Sequence, residues 1–376
     1  MHIRKVALGV ILVALLLPAG ASAGTATFTN GTFTYTAAPR ESNYVITDIT
    51  TQCDGLDVNP CFMLSDSAFF TITPPPGCVN QLYAEYWIVC PIPDRVQIDA
   101  GDELDTVLDW NGPSVIDAGP GDDSVFGHGG DDRITGGDGG DVLIGGQGND
   151  TIDGGRGADL MEAPISGYGI QESPSASDSA GADSLSGGDG VDTVSYVLRD
   201  DPLKITLDGA ANDGAPGEGD RIANDVEGVI GGHGNDVMVG SPRSDALSGY
   251  DGDDNVRGGR GDDSLDGGPG DDVVAGEQGA DTVSGGHGQD TVDGGPGRDN
   301  IYGEYALGCD LNTECVGGSD LIRAVDGERD LISCGVGTDR ADIDNHVDIV
   351  RDIPGSTECE RLFAPKKKAK PRHRRR

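Results

Sequence analysis

Fifteen aspartates recur at one phase of a nine-residue period. They are Asp123, Asp132, Asp141, Asp150, Asp159, Asp183, Asp192, Asp236, Asp245, Asp254, Asp263, Asp272, Asp281, Asp290 and Asp299. Written from Ala118, the units begin AGPGDDSVF, GHGGDDRIT and GGDGGDVLI. Aspartate holds position six in all fifteen, an aliphatic residue or Met holds position eight in all fifteen, and glycine holds position four in fourteen, Arg243 being the exception. A carboxylate beside a glycine turn offers only oxygen: its own two atoms and backbone carbonyls that glycine lets approach closely. That donor set suits a hard divalent cation, which takes six to eight oxygens at about 2.3–2.6 Å. Softer metals want His or Cys. His128, His233 and His287 lie in the turns, but at positions two or three and not clustered.

The turns need elements that hold them in register. Position eight reads as the centre of a short strand with its side chain inward, its neighbours pointing outward by strand alternation. One such unit cannot bury its apolar residue alone, so units must stack. Val125, Ile134, Leu143 and Ile152 are expected to stack, as are Val256, Leu265, Val274, Val283, Val292 and Ile301. The units form a group from Ala118 to Glu162, a pair from Asp178 to Ser195, and eight without a gap from Gly231 to Tyr302. Interruptions at 163–177 and 196–230 are expected to bulge as loops, with Leu203 to Leu207 alternating like an extra strand.

These units carry the nonapeptide GGxGxDxUx, with U a large aliphatic residue, and closely resemble the RTX (haemolysin-type) calcium-binding repeats of secreted bacterial proteins. The resemblance implies an all-β fold, a right-handed parallel β-roll or β-solenoid, folded on multiple Ca²⁺ ions. It also implies that two units make one coil. Position-six carboxylates then meet two units apart: Asp123 with Asp141, Asp132 with Asp150, Asp141 with Asp159, Asp236 with Asp254, Asp245 with Asp263, and on to Asp281 with Asp299. Asp183 and Asp192 have less defined neighbours. Asp105 falls on the same register before the first clear unit, and Ser114 takes position six between them. The unit of Asp245, GSPRSDALS, lacks its glycine and carries Pro242, which predicts a weak or absent site.

Composition removes several classes. The chain has 376 residues, 62 of them Gly and 20 Pro, with 5% aromatics and a formal charge of −39. That glycine has no three-residue period, so collagen is excluded. A strongly acidic chain is no nucleic-acid binder. Low aromaticity and high charge would permit disorder, but a disordered linker has no reason to hold a register over fifteen units.

The flanks read separately. Residues 1–23 have the form of a secretory signal peptide: Arg4 and Lys5, an apolar run Val6 to Leu17, and Ala21-Ser22-Ala23. No later run is long and apolar enough to span a bilayer. A secreted, extracellular protein is expected, and its eight cysteines fit an oxidising compartment. Local pairings Cys53–Cys61, Cys78–Cys90, Cys309–Cys315 and Cys334–Cys359 are expected, although four cysteines allow three connectivities in each group. No Cys-x-x-Cys occurs, which argues against a zinc site. Residues 24–117 read as β-rich, with strands Thr25–Thr29 and Thr32–Thr36 around Asn30-Gly31, and Tyr83–Val89 and Arg95–Ile98 further on. They cap the solenoid or begin it. Residues 118–302 are the roll, and 303–364 a disulfide-stapled cap keeping the echoes Asp320-Leu321-Ile322, Asp330-Leu331-Ile332 and Asp342-Ile343. Residues 365–376 are a basic tail suited to an anionic cell-wall or surface polymer, or to a solvated existence.

No catalytic constellation is visible. HExxH and the Walker A motif are absent, and the one Gly-x-Ser-x-Gly, Gly20 to Gly24, straddles the signal cleavage site. Arg260-Gly261-Asp262 is generated by the repeat itself. The sequence therefore reads as a non-catalytic calcium-binding protein with a structural or surface role. An adhesin acting through 24–117 or the interruption loops is the second reading, and a hydrolase the third.

Overall fold

A computed structural model describes residues 25–37, 44–50, 61–66, 74–80, 87–109, 112–161, 181–303, 319–326, 328–335, 339–343, 348–350 and 360–363. No helix occurs among them, and their strands form three sheets. One long sheet of 16 strands runs the length of the repeats, from Ile349–Val350 through Ala246–Ser248, Ser124–Phe126 and Thr106–Leu108 to Val79–Asn80. The opposite face is divided between two sheets of 8 strands each. The first runs from Thr25–Thr29 to Arg221–Ile222, and the second from Lys204–Thr206 to Glu360–Phe363. Consecutive units alternate between faces, so a strand pairs in parallel with the strand two units on: Val125 with Leu143, Ile134 with Ile152, Val256 with Val274. The molecule is an all-β parallel β-roll.

Position eight supplies the core. Val125, Ile134, Leu143, Ile152, Met161, Leu185 and Val194 are buried, as are Met238 to Ile301 at the same phase. Their strand neighbours are more exposed, as alternation requires. Several strands exceed three residues. Arg133–Asp138 and Thr151–Gly157 continue through the first positions of the next unit, and their glycines pair turn to turn. Because each core residue packs between equivalents above and below, Leu143→Ala should leave a cavity costing about 3 kcal/mol. Urea unfolding at fixed calcium tests this, and a cost below about 1 kcal/mol would mean that the column repacks freely.

The N-terminal region both starts the roll and closes its end. Thr32–Thr36 pairs in parallel with Arg95–Asp99, which pairs with Ser114–Pro120, so the coil register begins before the first clear unit. Phe33 and Tyr35 are buried, and Phe28 pairs with Phe33. On the long sheet, Tyr44–Thr50, Cys61–Asp66, Trp87–Cys90 and Val79–Asn80 add an antiparallel end. The expected strand over 83–89 is found only from Trp87, and 81–86 lie outside the described residues. Cys78 and Cys90 are disulfide-bonded to each other as expected. Cys334 is also disulfide-bonded. Both partners of the Cys309–Cys315 pairing, Cys53 and Cys359 lie outside the described residues.

Two expectations need correction. The interruption at 196–230 does not simply bulge out. Lys204–Thr206 opens the second short sheet, Arg221–Ile222 ends the first, and Gly228–Ile230 joins the long one. The expected strand within Leu203 to Leu207 is therefore present and is part of the roll. In the C-terminal region, Ile322 pairs with Ala341, so Asp339 takes the aspartate position, and Asp342 faces Arg340 instead. The other interruption, 163–177, lies outside the described residues.

Candidate metal-binding edges

Each turn forms where glycine lets one coil settle on another. At position four, a Cβ on Gly139 would overlap the Gly121 carbonyl and lie 2.5 Å from its carbon, at a φ of +153°. At position two, glycines such as Gly119 and Gly137 hold φ near 99–126°. His128, Tyr250 and Glu277 occupy that position at φ 66°, 75° and 70°, nearer the left-handed well that L residues tolerate. At position one, a Cβ on Gly127 would stand 2.6 Å from Asp132 Oδ2 and 2.6 Å from the Gly145 carbonyl oxygen. Glycine thus leaves open a small cradle where a carboxylate and a carbonyl of the next coil converge.

The aspartates form two ladders. Each backbone N–H donates to Oδ1 of the aspartate one coil on: Asp123 to Asp141 at 2.8 Å, Asp132 to Asp150 at 2.8 Å, Asp141 to Asp159 at 2.9 Å. The long block repeats this, from Asp236 to Asp254 at 2.7 Å through Asp281 to Asp299 at 2.9 Å. Asp245 to Asp263, Asp254 to Asp272, Asp263 to Asp281 and Asp272 to Asp290 complete it. The spacing of 18 expected from the repeat is the spacing observed. The structure also supplies neighbours for the two uncertain residues, as Asp150 donates to Asp183 and Asp159 to Asp192 across a gap of 33. Asp105 and Ser114 head the two ladders.

Six ladder residues escaped the sequence reading of sites. Asp220 continues from Asp183, and Glu227 from Asp192. Asp320, Asp330, Asp339 and Asp348 extend the edges beyond the last clear unit. At Gly303 the cradle recurs between Asp320 Oδ2 and the Cys334 carbonyl. The sequence signal was the Asp-aliphatic echo together with a position-four glycine at Gly318 and Gly337; the units of Asp220, Glu227 and Asp330 lack that glycine.

The second carboxylate oxygen decides what the edges can do. Oδ2 of Asp123, Asp132, Asp141, Asp150, Asp159, Asp192, Asp254, Asp263, Asp272, Asp281 and Asp299 is buried and accepts no hydrogen bond among the described residues. A buried acceptor without a donor costs about 1–3 kcal/mol, and eleven in two rows would be a large penalty without a cation. Burial, and then neighbouring carboxylates, push these acids up. Asp132 and Asp272 rise to about 8, and Asp141, Asp254, Asp263 and Asp299 to about 7. Among the described residues no three His, Cys, Asp or Glu side chains converge in a group that could hold a metal ion by themselves. The donors are instead single carboxylates joined by carbonyls, which fits a hard cation and does not fit zinc.

The family model of the RTX calcium-binding nonapeptide repeat (4 copies) matches residues 111–143, 135–163, 176–196, 230–265 and 266–301. These segments are RTX calcium-binding repeats. Calcium is accordingly the ion that these repeats bind. No curated protein matches the chain. The matched RTX segments stop at residue 301, whereas the ladder continues through Asp320, Asp330 and Asp339.

Proposed function

We propose that this is an exported, non-catalytic protein whose roll folds on several calcium ions outside the cell and then serves as a structural or surface-interaction scaffold. The position-six aspartates are the proposed ligand set, except Asp236 and Asp245, whose two carboxylate oxygens already accept protein hydrogen bonds; position-one carbonyls complete the shells, and Asp320, Asp330 and Asp339 extend them. The observation that carries this reading is the double row of buried, undonated Oδ2 atoms. Neighbouring carboxylates on one edge sit about one strand spacing apart, ~4.8 Å. At an effective dielectric near 20 two such charges repel by about 3 kcal/mol. The chain outside the leader and basic tail carries 16 cationic against 65 acidic side chains. Calcium, when bound, neutralises this edge, and the chain's own aspartates and turn carbonyls set the positions it takes.

Export rests on the leader at 1–23, and folding on binding suits passage through a membrane while calcium is scarce. No helix of the described residues is long and apolar enough to cross a membrane. The absence of HExxH, Walker A or a nucleophile elbow outside the leader supports a non-catalytic role. A calcium titration of residues 24–376 by far-ultraviolet circular dichroism tests the central step, with magnesium as control. A cooperative gain of β signal with calcium alone, reversed by chelator, is expected. A full β spectrum in chelator at neutral pH would sink the reading.

A further inference from the structure

The two ladders change character where the second interruption enters the roll. On one edge Asp183 is followed by Asp220, and the second short sheet then begins with Leu203 standing where aspartate is expected. Leu203 is buried, its N–H donates to Asp236 Oδ1 at 2.8 Å, and Ile205 pairs with Met238 at position eight. On the other edge Glu227 follows Asp192, and Asp245 is next.

Every carboxylate here has a protein partner for the oxygen that elsewhere is left undonated. Asp220 Oδ2 accepts the Tyr196 hydroxyl at 3.1 Å. Asp236 Oδ2 accepts the Gly232 N–H at 2.8 Å. Asp245 accepts both the N–H and the hydroxyl of Ser241. Two guanidinium groups supply positive charge. Arg199 Nη2 donates to both carboxylate oxygens of Glu218, at 2.8 and 2.9 Å, in a largely buried pair beside Asp220. Arg243 binds Glu227 at 2.8 Å, donates to the Asn224 carbonyl, and lies near Asp245. Arg243 is also the residue that replaces the position-four glycine.

Asp213 joins the halves. Its Oδ1 accepts the N–H and hydroxyl of Thr206, at the start of the second short sheet, and its Oδ2 accepts the N–H of Ile222, at the end of the first. Antiparallel bridges Lys204–Gly214 and Asp213–Asp220 complete the link between the two short sheets.

We propose that residues 196–245 form a calcium-free seam, in which Arg199, Arg243 and the donors of Tyr196, Gly232 and Ser241 do for the acidic edges what calcium does elsewhere. The seam divides the roll into two separately loading calcium blocks. This inference rests on the calcium reading above and assigns where along the edges that reading stops. Calcium has little to gain at the seam, since its carboxylate oxygens are already taken and a cation is already present.

Native mass spectrometry of residues 24–376 with saturating calcium counts the ions. Asp245→Asn and Asp220→Asn should leave the wild-type count unchanged, whereas Asp263→Asn should lower it by at least one. A lower count in Asp245→Asn or Asp220→Asn overturns the seam. Arg243→Gln gives an independent arm if those variants do not fold. It should raise the calcium concentration at half-folding about fivefold, the scale of a partly exposed ion pair, and Glu227→Gln on top should restore it. An unchanged midpoint in Arg243→Gln overturns the role of the guanidinium. A wild-type chain that binds no calcium overturns the calcium reading itself, and the seam with it.

Discussion

Gly139→Ala should abolish calcium-driven folding of the first block of repeats, while Asp138→Ala next to it should change little. The difference is geometric. Gly139 sits at position four, where a Cβ would overlap the carbonyl of Gly121 in the coil beneath. Its φ of +153° adds a conformation that L side chains rarely adopt. Nor can the backbone step aside. Gly139 N–H donates to the Arg156 carbonyl at 2.7 Å, and Gly121 N–H donates to the Asp138 carbonyl at 2.8 Å, so three coils are tied together at this level. Shifting one turn moves the carbonyls and the Asp141 carboxylate that line the edge. Asp138, by contrast, is exposed, and its contact with Arg156 spans 3.7 Å between solvated side chains, which is worth little. The expected penalty of about 4 kcal/mol belongs with the most damaging single substitutions. Calcium titrations of both variants, followed by circular dichroism, measure it. A Gly139→Ala chain that folds at the wild-type calcium concentration would show that the coils stack less rigidly than their contacts imply.

The same argument explains why Arg243 is admitted at position four while the other fourteen units keep glycine. Below it lies the seam, whose coil follows a different path, so Arg243 reaches Glu227 and the Asn224 carbonyl where a regular coil would block it. Much of the edge was legible because the register is carried by residue types with one purpose each. Aspartate six, aliphatic eight and glycine four place the ladders at a spacing of 18, and even Asp105 and Ser114 fall into line. What could not be read depends on contacts distant in the chain. Leu203 at an aspartate position and Glu227 in place of aspartate make sense only beside Asp236 and Arg243. Asp213 looks like an ordinary turn residue until Thr206 and Ile222 are seen on either side of it. Near the C terminus, Asp342-Ile343 mimicked the repeat better than Asp339-Arg340-Ala341, because alanine at position eight is small. The pairing of Ile322 with Ala341 chose otherwise.

In calcium-free buffer, acid should substitute for calcium: the β signal missing at pH 8 should return as the pH is lowered toward 5. Burial is the largest cause raising these acids, with neighbouring carboxylates adding to it. The folded, metal-free values reach about 6 for Asp123 and Asp150, about 7 for Asp141, Asp254, Asp263 and Asp299, and about 8 for Asp132 and Asp272, against 3.8 for the free side chain. A carboxyl raised by folding binds its proton more tightly in the folded chain. Its contribution to stability is therefore complete below about pH 3.8 and is lost as the pH climbs through 6 to 8. Protonation also removes the repulsion along each edge and turns a buried anion into a neutral acid. With calcium present the slope reverses, since the ion binds the ionised carboxylate and competes with protons. Half-folding should then need more calcium at pH 6 than at pH 8. Circular dichroism between pH 5 and 8, with and without calcium, and sedimentation to exclude association, separates the two regimes. If the metal-free chain gains no β structure on acidification, the edges are not held apart by their own charge, and calcium must organise the turns through their carbonyls instead.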